Sequence, residues 1–145
     1  MKILVQKVLN ASVNVSQKTV ASIKDGYLLF VGIEKDDSAA QAEFLAKKVA
    51  NLRIFTDEND KMNLSIQDVS GEILAVSQFT LAADLSRGNR PGFDTAATPE
   101  IAKPLYEHFV SQLKQYNIPV QTGIFQADMQ VSLVNDGPCT FLLQK

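Results

Sequence analysis

Apolar and polar residues alternate through Ala11-Ser12-Val13-Asn14-Val15 and through Val20-Ala21-Ser22-Ile23, and Asp25-Gly26 then opens an apolar run from Tyr27 to Ile33. A period of two belongs to a strand with one wet face, and a short unbroken apolar run after a turn belongs to a strand covered on both. Residues Ile3 to Glu34 therefore read as an antiparallel meander. The period then changes. Over Ser38 to Arg53, Ala42, Leu45, Val49 and Leu52 recur at spacings of three and four, while Glu43, Lys47 and Lys48 fall opposite. This predicts an amphipathic helix with Asp37 or Ser38 as its N-cap.

Thr56 to Lys61 reads as a polar loop and Leu64 to Val69 as a short strand, after which Ser70-Gly71 turns into Ile73 to Thr80, the expected centre of the sheet. Asp84 to Ala97 is irregular and marked by glycine and proline. Thr98-Pro99-Glu100 has the form of a helix start, but Pro104 removes an internal N–H, so the main helix is expected to begin near Pro104 and to run through Leu105, Phe109 and Leu113 to Asn117. Val120 to Gly123, Met129 to Val134 and Thr140 to Leu143 read as strands, the last two separated by a turn at Asn135-Asp136-Gly137-Pro138. Many strands with two helices predict an α+β fold. We expect a curved or barrel-like, mostly antiparallel β assembly in β-β-α layers, with both helices packed on one side.

Composition narrows the chemistry. With 145 residues, the whole of 1–145 is expected to form one domain, and 46% hydrophobic against 21% charged residues is an ordinary globular balance. Cys139 is the one cysteine and His108 the one histidine. Neither a disulfide nor a metal site of the usual zinc type can be built from these, so no metal and no cofactor are expected. The run from Met1 to Lys7 is too short and too polar for a signal sequence, and no stretch reaches the roughly 18 apolar residues of a membrane span. A cytoplasmic protein without a membrane partner is the expectation. A net charge of −2 announces no nucleic acid globally, so any RNA contact must be local.

Three segments carry candidate chemistry. Ser77-Gln78-Phe79-Thr80-Leu81 puts two hydroxyls three residues apart where an apolar strand leaves the sheet, although serine and threonine are common at strand ends. Ser86-Arg87-Gly88-Asn89-Arg90-Pro91-Gly92-Phe93 sets two arginines in a glycine-flanked loop that can hold phosphates bidentately or can simply be solvated. Asn135 to Thr140 needs to be no more than a turn. His108 falls in the middle of the second predicted helix, where a plain surface role is expected.

Together these segments match a known family. With Val5-Gln6-Lys7-Val8, Leu52-Arg53-Ile54-Phe55, Gly88-Asn89-Arg90-Pro91, Leu105-Tyr106-Glu107, Thr122-Gly123-Ile124-Phe125 and Asn135-Asp136-Gly137-Pro138 all in order, the chain resembles the D-aminoacyl-tRNA deacylases over essentially its whole length. The resemblance implies a homodimeric hydrolase. The implied partner is tRNA carrying a D-amino acid, whose ester to the terminal ribose would be cleaved, and glycyl-tRNA is expected as a further substrate because an achiral residue gives a chiral filter nothing to reject.

The resemblance also assigns residues. It implies that Ser77, Gln78, Phe79 and Thr80 form the catalytic segment; within that segment we expect the N–H groups of Phe79 and Thr80 to be the oxyanion donors, and the resemblance leaves open whether Thr80 is a hydrogen-bonding group or the nucleophile. Gly137-Pro138 is implied to be a cis pair that one subunit inserts into the other's site, its carbonyls rejecting an L side chain by shape. Phe125 and Met129 match the positions that meet the terminal adenosine. Arg87 and Arg90 are candidates for tRNA backbone contacts. Lys7 stands where the family usually has arginine, which loses a planar fork and is expected to loosen chiral rejection if that residue orients the Gly137-Pro138 loop. Cys139 stands where valine is usual. Two other classes compete: a nucleic-acid-binding module without catalysis, and a regulatory domain that binds free amino acids.

Overall fold

A computed structural model describes residues Met1–Lys145. In chain order the elements are β1 (Lys2–Val15), β2 (Lys18–Ile23), β3 (Gly26–Gly32), α1 (Ala39–Ala50), β4 (Phe55–Thr56), β5 (Met62–Leu64), β6 (Glu72–Ser77), a 3-10 turn (Phe79–Ala82), α2 (Pro99–Lys114), β7 (Val120–Thr122) and β8 (Gln130–Gln144).

The long strand β1 organises the sheet. It pairs antiparallel with β8 from Lys2 to Asn14, with β3 from Lys2 to Val8, and with β2 from Ala11 to Val15. A strand has two edges, so β2 and β3 follow one another along one edge and β8 takes the other. β6 then pairs parallel with β3, and β7 parallel with β6. The sheet is mixed, and it curls until β7 comes back towards β2. There the side chain of Gln121 stands in for a missing strand pairing: it accepts from the Ser22 N–H at 3.0 Å and donates to the Ser22 carbonyl at 2.5 Å. The barrel-like assembly expected from the sequence is present, with β4 and β5 as a separate two-stranded ribbon.

Alternation explains how the curled sheet fills both sides. Leu28 of β3 and Leu74 and Val76 of β6 point into the barrel with Val8, Ala11, Val13, Ala21 and Ile23. Tyr27, Leu29, Ile73 and Ala75, one residue out of phase, face the helices. The helices answer with Ala42, Leu45 and Val49 of α1 and Tyr106, Phe109 and Leu113 of α2, all in the same buried cluster. Ser38 caps α1, and Gln41 accepts its N–H at 3.1 Å in a capping box.

Four expectations need correction. The strand expected over Leu64 to Val69 stops at Leu64, because Asp68 accepts both the N–H and the hydroxyl of Ser65 at 2.7 Å and closes a turn. The central strand ends at Ser77, and Phe79–Ala82 winds into the 3-10 turn. The second helix starts at Pro99 and carries Pro104 inside it. Proline costs that helix one hydrogen bond, but Pro104 and Glu100 both lie on the exposed face, while Ala102, Tyr106 and Phe109 bury the other side. Finally, Asn135 to Pro138 does not separate two strands. β8 runs through it as one strand with a local bulge, and the Gly137–Pro138 peptide in the bulge is cis.

Candidate active site

A cleft of about 640 Å³ opens at the carboxyl ends of the parallel strands β3 and β6, a position where crevices form in sheets of this kind. Val31, Ile33, Val76 and Ser77 come from the ends of the two strands, Gln78 and Phe79 from the following turn, and Pro99 and Ala102 from the start of α2. Phe125, Met129 and Val131 close the far side. The backbone brings these elements together by specific bonds. Gln78 N–H donates to Val31 O at 2.8 Å, and the segment before α2 runs beside the end of β3, with Lys35 N–H on Thr95 O and Ala97 N–H on Ile33 O, both at 3.0 Å.

The lining is mostly apolar, and no titratable side chain contributes to it. Its polar groups are Ser77, Gln78, Gln126 and main chain. The Gln78 side-chain amide donates to Thr80 Oγ1 at 2.5 Å, so one lone pair of that hydroxyl is already occupied. Because the 3-10 turn starts at Phe79, the N–H groups of Phe79 and Thr80 precede its first internal bonds and are donated to no acceptor in the chain. Two free donors thus lie beside a mostly apolar cleft, next to a hydroxyl that can still donate.

Of the residues singled out from the sequence, Ser77, Gln78, Phe79, Phe125 and Met129 line this cleft, and Thr80 adjoins it through Gln78. Phe125 packs on Tyr106 with ring centroids 6.0 Å apart, so it is both wall and core. Met129 has its room because residue 123 is glycine: a Cβ there would sit 2.6 Å from the Met129 sulfur. Arg87 and Arg90 are exposed in a loop pinned by paired hydrogen bonds between Asp84 and Gly92, at 2.8 and 2.9 Å. This loop leads into Phe93, whose ring lies 5.0 Å from that of Phe79 at the cleft.

Gly137 and Pro138 are not brought to the cleft of their own chain. They lie exposed at the β8 bulge, with Gly137 at a φ of +120°. Lys7 sits beneath that bulge, its ammonium 2.7 Å from Asp136 and 5.4 Å from the centre of the Phe55 ring. Cys139 is buried there, and burial pushes its thiol up from the ordinary value. His108 lies outside the cleft and joins α2 to α1 by a 3.0 Å contact with Glu43.

No pattern in the sequence marks Phe93 and Gln126 as cleft wall, or Asn135 and Asp136 as members of a bulge. The irregular segment before Phe93 has no periodicity to reveal which way it points. An amide next to a Gly-Pro pair was the available signal for Asn135, and a turn explained it too easily.

Residues 4–144 match the family model described as D-Tyr-tRNA(Tyr) deacylase. The chain is 58% identical over 144 residues to the D-aminoacyl-tRNA deacylase of Geotalea uraniireducens (strain Rf4), covering 99% of this chain and 93% of that one. It is 53% identical over 145 residues to the D-aminoacyl-tRNA deacylase of Pelobacter propionicus, covering 100% of both. Among solved structures it is similar to the "c-Myc DNA Unwinding Element Binding Protein", with a TM-score of 0.94, 38% identity and coverage of 100% of this chain and 99% of that one. A structure described as that of "a probable eukaryotic D-amino acid tRNA deacylase" superimposes with a TM-score of 0.83 over 98% of this chain and 97% of that one, at 15% identity, a likeness of fold.

Proposed function

The chain belongs to the D-Tyr-tRNA(Tyr) deacylase family, and from that premise we propose that it removes D-amino acids, and glycine, from tRNA by hydrolysing the ester to the terminal ribose. The family makes it a hydrolase, a D-aminoacyl-tRNA deacylase.

The observation that carries it is the pair of unpartnered N–H groups, those of Phe79 and Thr80, at the mouth of a cleft without a titratable side chain. Ester hydrolysis there must proceed by positioning and by stabilising negative charge rather than by an acid–base pair. Water, oriented by the neighbouring ribose 2′-hydroxyl, attacks the ester carbonyl; the two N–H groups receive the oxygen that becomes negative, and the intermediate collapses with cleavage of the ester C–O bond, a proton of the attacking water passing to the departing ribose oxygen. Thr80 acts as a hydrogen-bond donor. No base stands by to deprotonate it, and the Gln78 amide already draws on its oxygen. Phe125 and Met129 offer an aromatic face and a soft thioether to the terminal adenine, and Arg87 and Arg90 reach towards the tRNA backbone.

Selection belongs to Gly137 and Pro138 of a second copy of the chain. Both are exposed and absent from the lining of their own chain's cleft, so they are available to another chain's. The outer edge of the fifteen-residue β8 is unpaired and carries the exposed Val134, Phe141 and Leu142, which supports a homodimer. Carbonyls of the Gly137–Pro138 backbone, facing the substrate α-carbon, exclude an L side chain and admit a D side chain or hydrogen. Glycine gives such a wall nothing to reject. The site of action is the cytoplasm, where aminoacyl-tRNA is used; no helix is long and apolar enough to cross a membrane.

The test is the hydrolysis rate of D-tyrosyl-, L-tyrosyl- and glycyl-tRNA by the wild type and by Gly137→Ala, whose new Cβ falls at a φ of +120° that L residues rarely adopt. Loss of the D and glycyl esters with the L ester spared, and a blurred distinction in the variant, is expected. No turnover of any ester overturns the reading and favours a nucleic-acid-binding module, the role named in the 38% identical structure.

A further inference from the structure

In the β1–β8 ladder Gln6 pairs with Thr140 and Val8 with Asn135, so the single residue Lys7 faces the four residues Asp136, Gly137, Pro138 and Cys139. Four residues against one cannot all keep ladder bonds, and the chain bulges outward. A side chain replaces the missing rungs. The Asn135 Nδ2 donates to Lys7 O across the ladder at 2.9 Å and to Cys139 O, on the far side of the bulge, at 3.0 Å. Both hydrogens of one amide are thus used to draw the neck of the bulge closed. Thr140 Oγ1 reaches the Asn135 Oδ1 at 3.4 Å, and the Lys7 ammonium holds Asp136 at 2.7 Å. Only the tip, Gly137 and Pro138, is left without a side-chain tie.

We propose that Asn135 is a positioning residue for substrate selection: by bridging the carbonyls of Lys7 and Cys139 it sets the direction in which the Gly137–Pro138 tip projects. The proposal rests on the reading that this tip faces the substrate α-carbon. A wall that discriminates by shape works only while its carbonyls hold one direction, and a shift of about 1 Å is enough to spoil such a geometry. Only a side chain of this reach with two donors can bridge two carbonyls. Aspartate has the shape without the donors, and serine has one donor and a shorter reach.

The experiment compares the full chain with Asn135→Asp in hydrolysis of D-tyrosyl-, L-tyrosyl- and glycyl-tRNA. The ratio of D to L rates is expected to fall by about tenfold, the rate equivalent of one or two lost hydrogen bonds, while glycyl-tRNA, which has no side chain for the tip to reject, is hydrolysed at nearly the wild-type rate. Asn51→Asp serves as the stability control, since Asn51 donates to Lys47 O at 2.8 Å at the end of α1. It is expected to lower Tm in the same way and to leave the ratio alone. If Asn135→Asp does not fold, Asn135→Ser is expected to fold and to lower the ratio. An unchanged ratio in a folded Asn135 variant, while Gly137→Ala blurs selection, overturns the role of Asn135 and leaves the tip in place. A wild type that does not distinguish D from L, or a Gly137→Ala variant that distinguishes them as sharply as the wild type, overturns the underlying reading as well.

Discussion

The hydroxyl of Tyr106 donates to the main-chain carbonyl of Ala75 at 2.9 Å and so ties the middle of α2 to the centre of β6. The same carbonyl accepts the N–H of Gly123 at 3.0 Å. One buried oxygen therefore gathers the helix, the central strand and the segment that leads to Phe125 and Met129, directly behind the cleft.

Tyr106→Phe is expected to cost about 1 kcal/mol, since Ala75 O keeps one of its two donors. Urea unfolding measures it. Burial pushes the Tyr106 phenol up from its ordinary value, so the folded state holds the proton that the unfolded chain releases above about pH 10. The wild-type contribution should therefore be constant at neutral pH and fall only as pH rises past that point. A Tyr106→Phe penalty that changes between pH 6 and about pH 9 would contradict this account.

Gly123→Ala places a Cβ 2.6 Å from the Met129 sulfur. The thioether is flexible and can yield, so the stability cost should sit near the low end of overpacking, about 1 kcal/mol. It yields into the cleft, however, where Met129 forms part of the wall. KM for D-aminoacyl-tRNA is expected to rise by several-fold with kcat little changed, which steady-state kinetics resolves. A fall in kcat at constant KM would mean that Met129 does not bound the substrate.

The elements were legible where period and burial agree. Ala11 to Val15 and the α1 stripe of Ala42, Leu45 and Val49 alternate or recur because one face of each is buried, and both faces of Ile73 to Val76 are apolar because the barrel and the helices cover them. Legibility failed where a side chain decides the backbone. Asp68 closes a turn that a β-like composition does not reveal, and Asn135 carries β8 through a Gly-Pro pair that reads locally as a break. Pro104 misled for a related reason. Its cost is local, whereas the burial of Tyr106, Phe109 and Leu113 that outweighs it is tertiary. Within the site, the Ser77 to Thr80 segment stood out from the sequence, but its neighbours Phe93 and Gln126 come from irregular chain that only the fold brings there.

Cys139 is buried, and burial holds its thiol above the ordinary value, so the thiolate that reacts is scarce in the folded state. Alkylation of the native protein at neutral pH is expected to be slow and to become fast in denaturant. A group whose folded pKa is raised supports stability below its unfolded value, about 8.5 for a thiol, and loses that support as pH rises through it. Cys139→Val, close in size and without a proton to lose, should remain within about 1 kcal/mol of wild type and flatten the alkaline fall in Tm. Rapid modification of the native thiol would place Cys139 in an open bulge and would weaken the case that Asn135 holds it closed.

Arg87 and Arg90 stand in a loop whose shape does not depend on them. Its ends are fixed by the Asp84–Gly92 pair, and its first turn by Asp84, which accepts the Ser86 N–H at 2.9 Å. That bond holds the Asp84 carboxyl below its usual range, so the turn remains intact at neutral pH. Both arginines are exposed and neither forms an ion pair within the chain. Replacing either should therefore leave the fold and the cleft as they are. If each meets one phosphate of the single-stranded tRNA end, Arg87→Ala and Arg90→Ala should each lower the slope of log kcat/KM against log salt by about 0.7. With substrate saturating, kcat should be unchanged, because neither residue lines the cleft. Rate measurements across a salt series decide it: an unaltered slope removes the loop from the RNA contact, and a fall in kcat moves it into the chemistry.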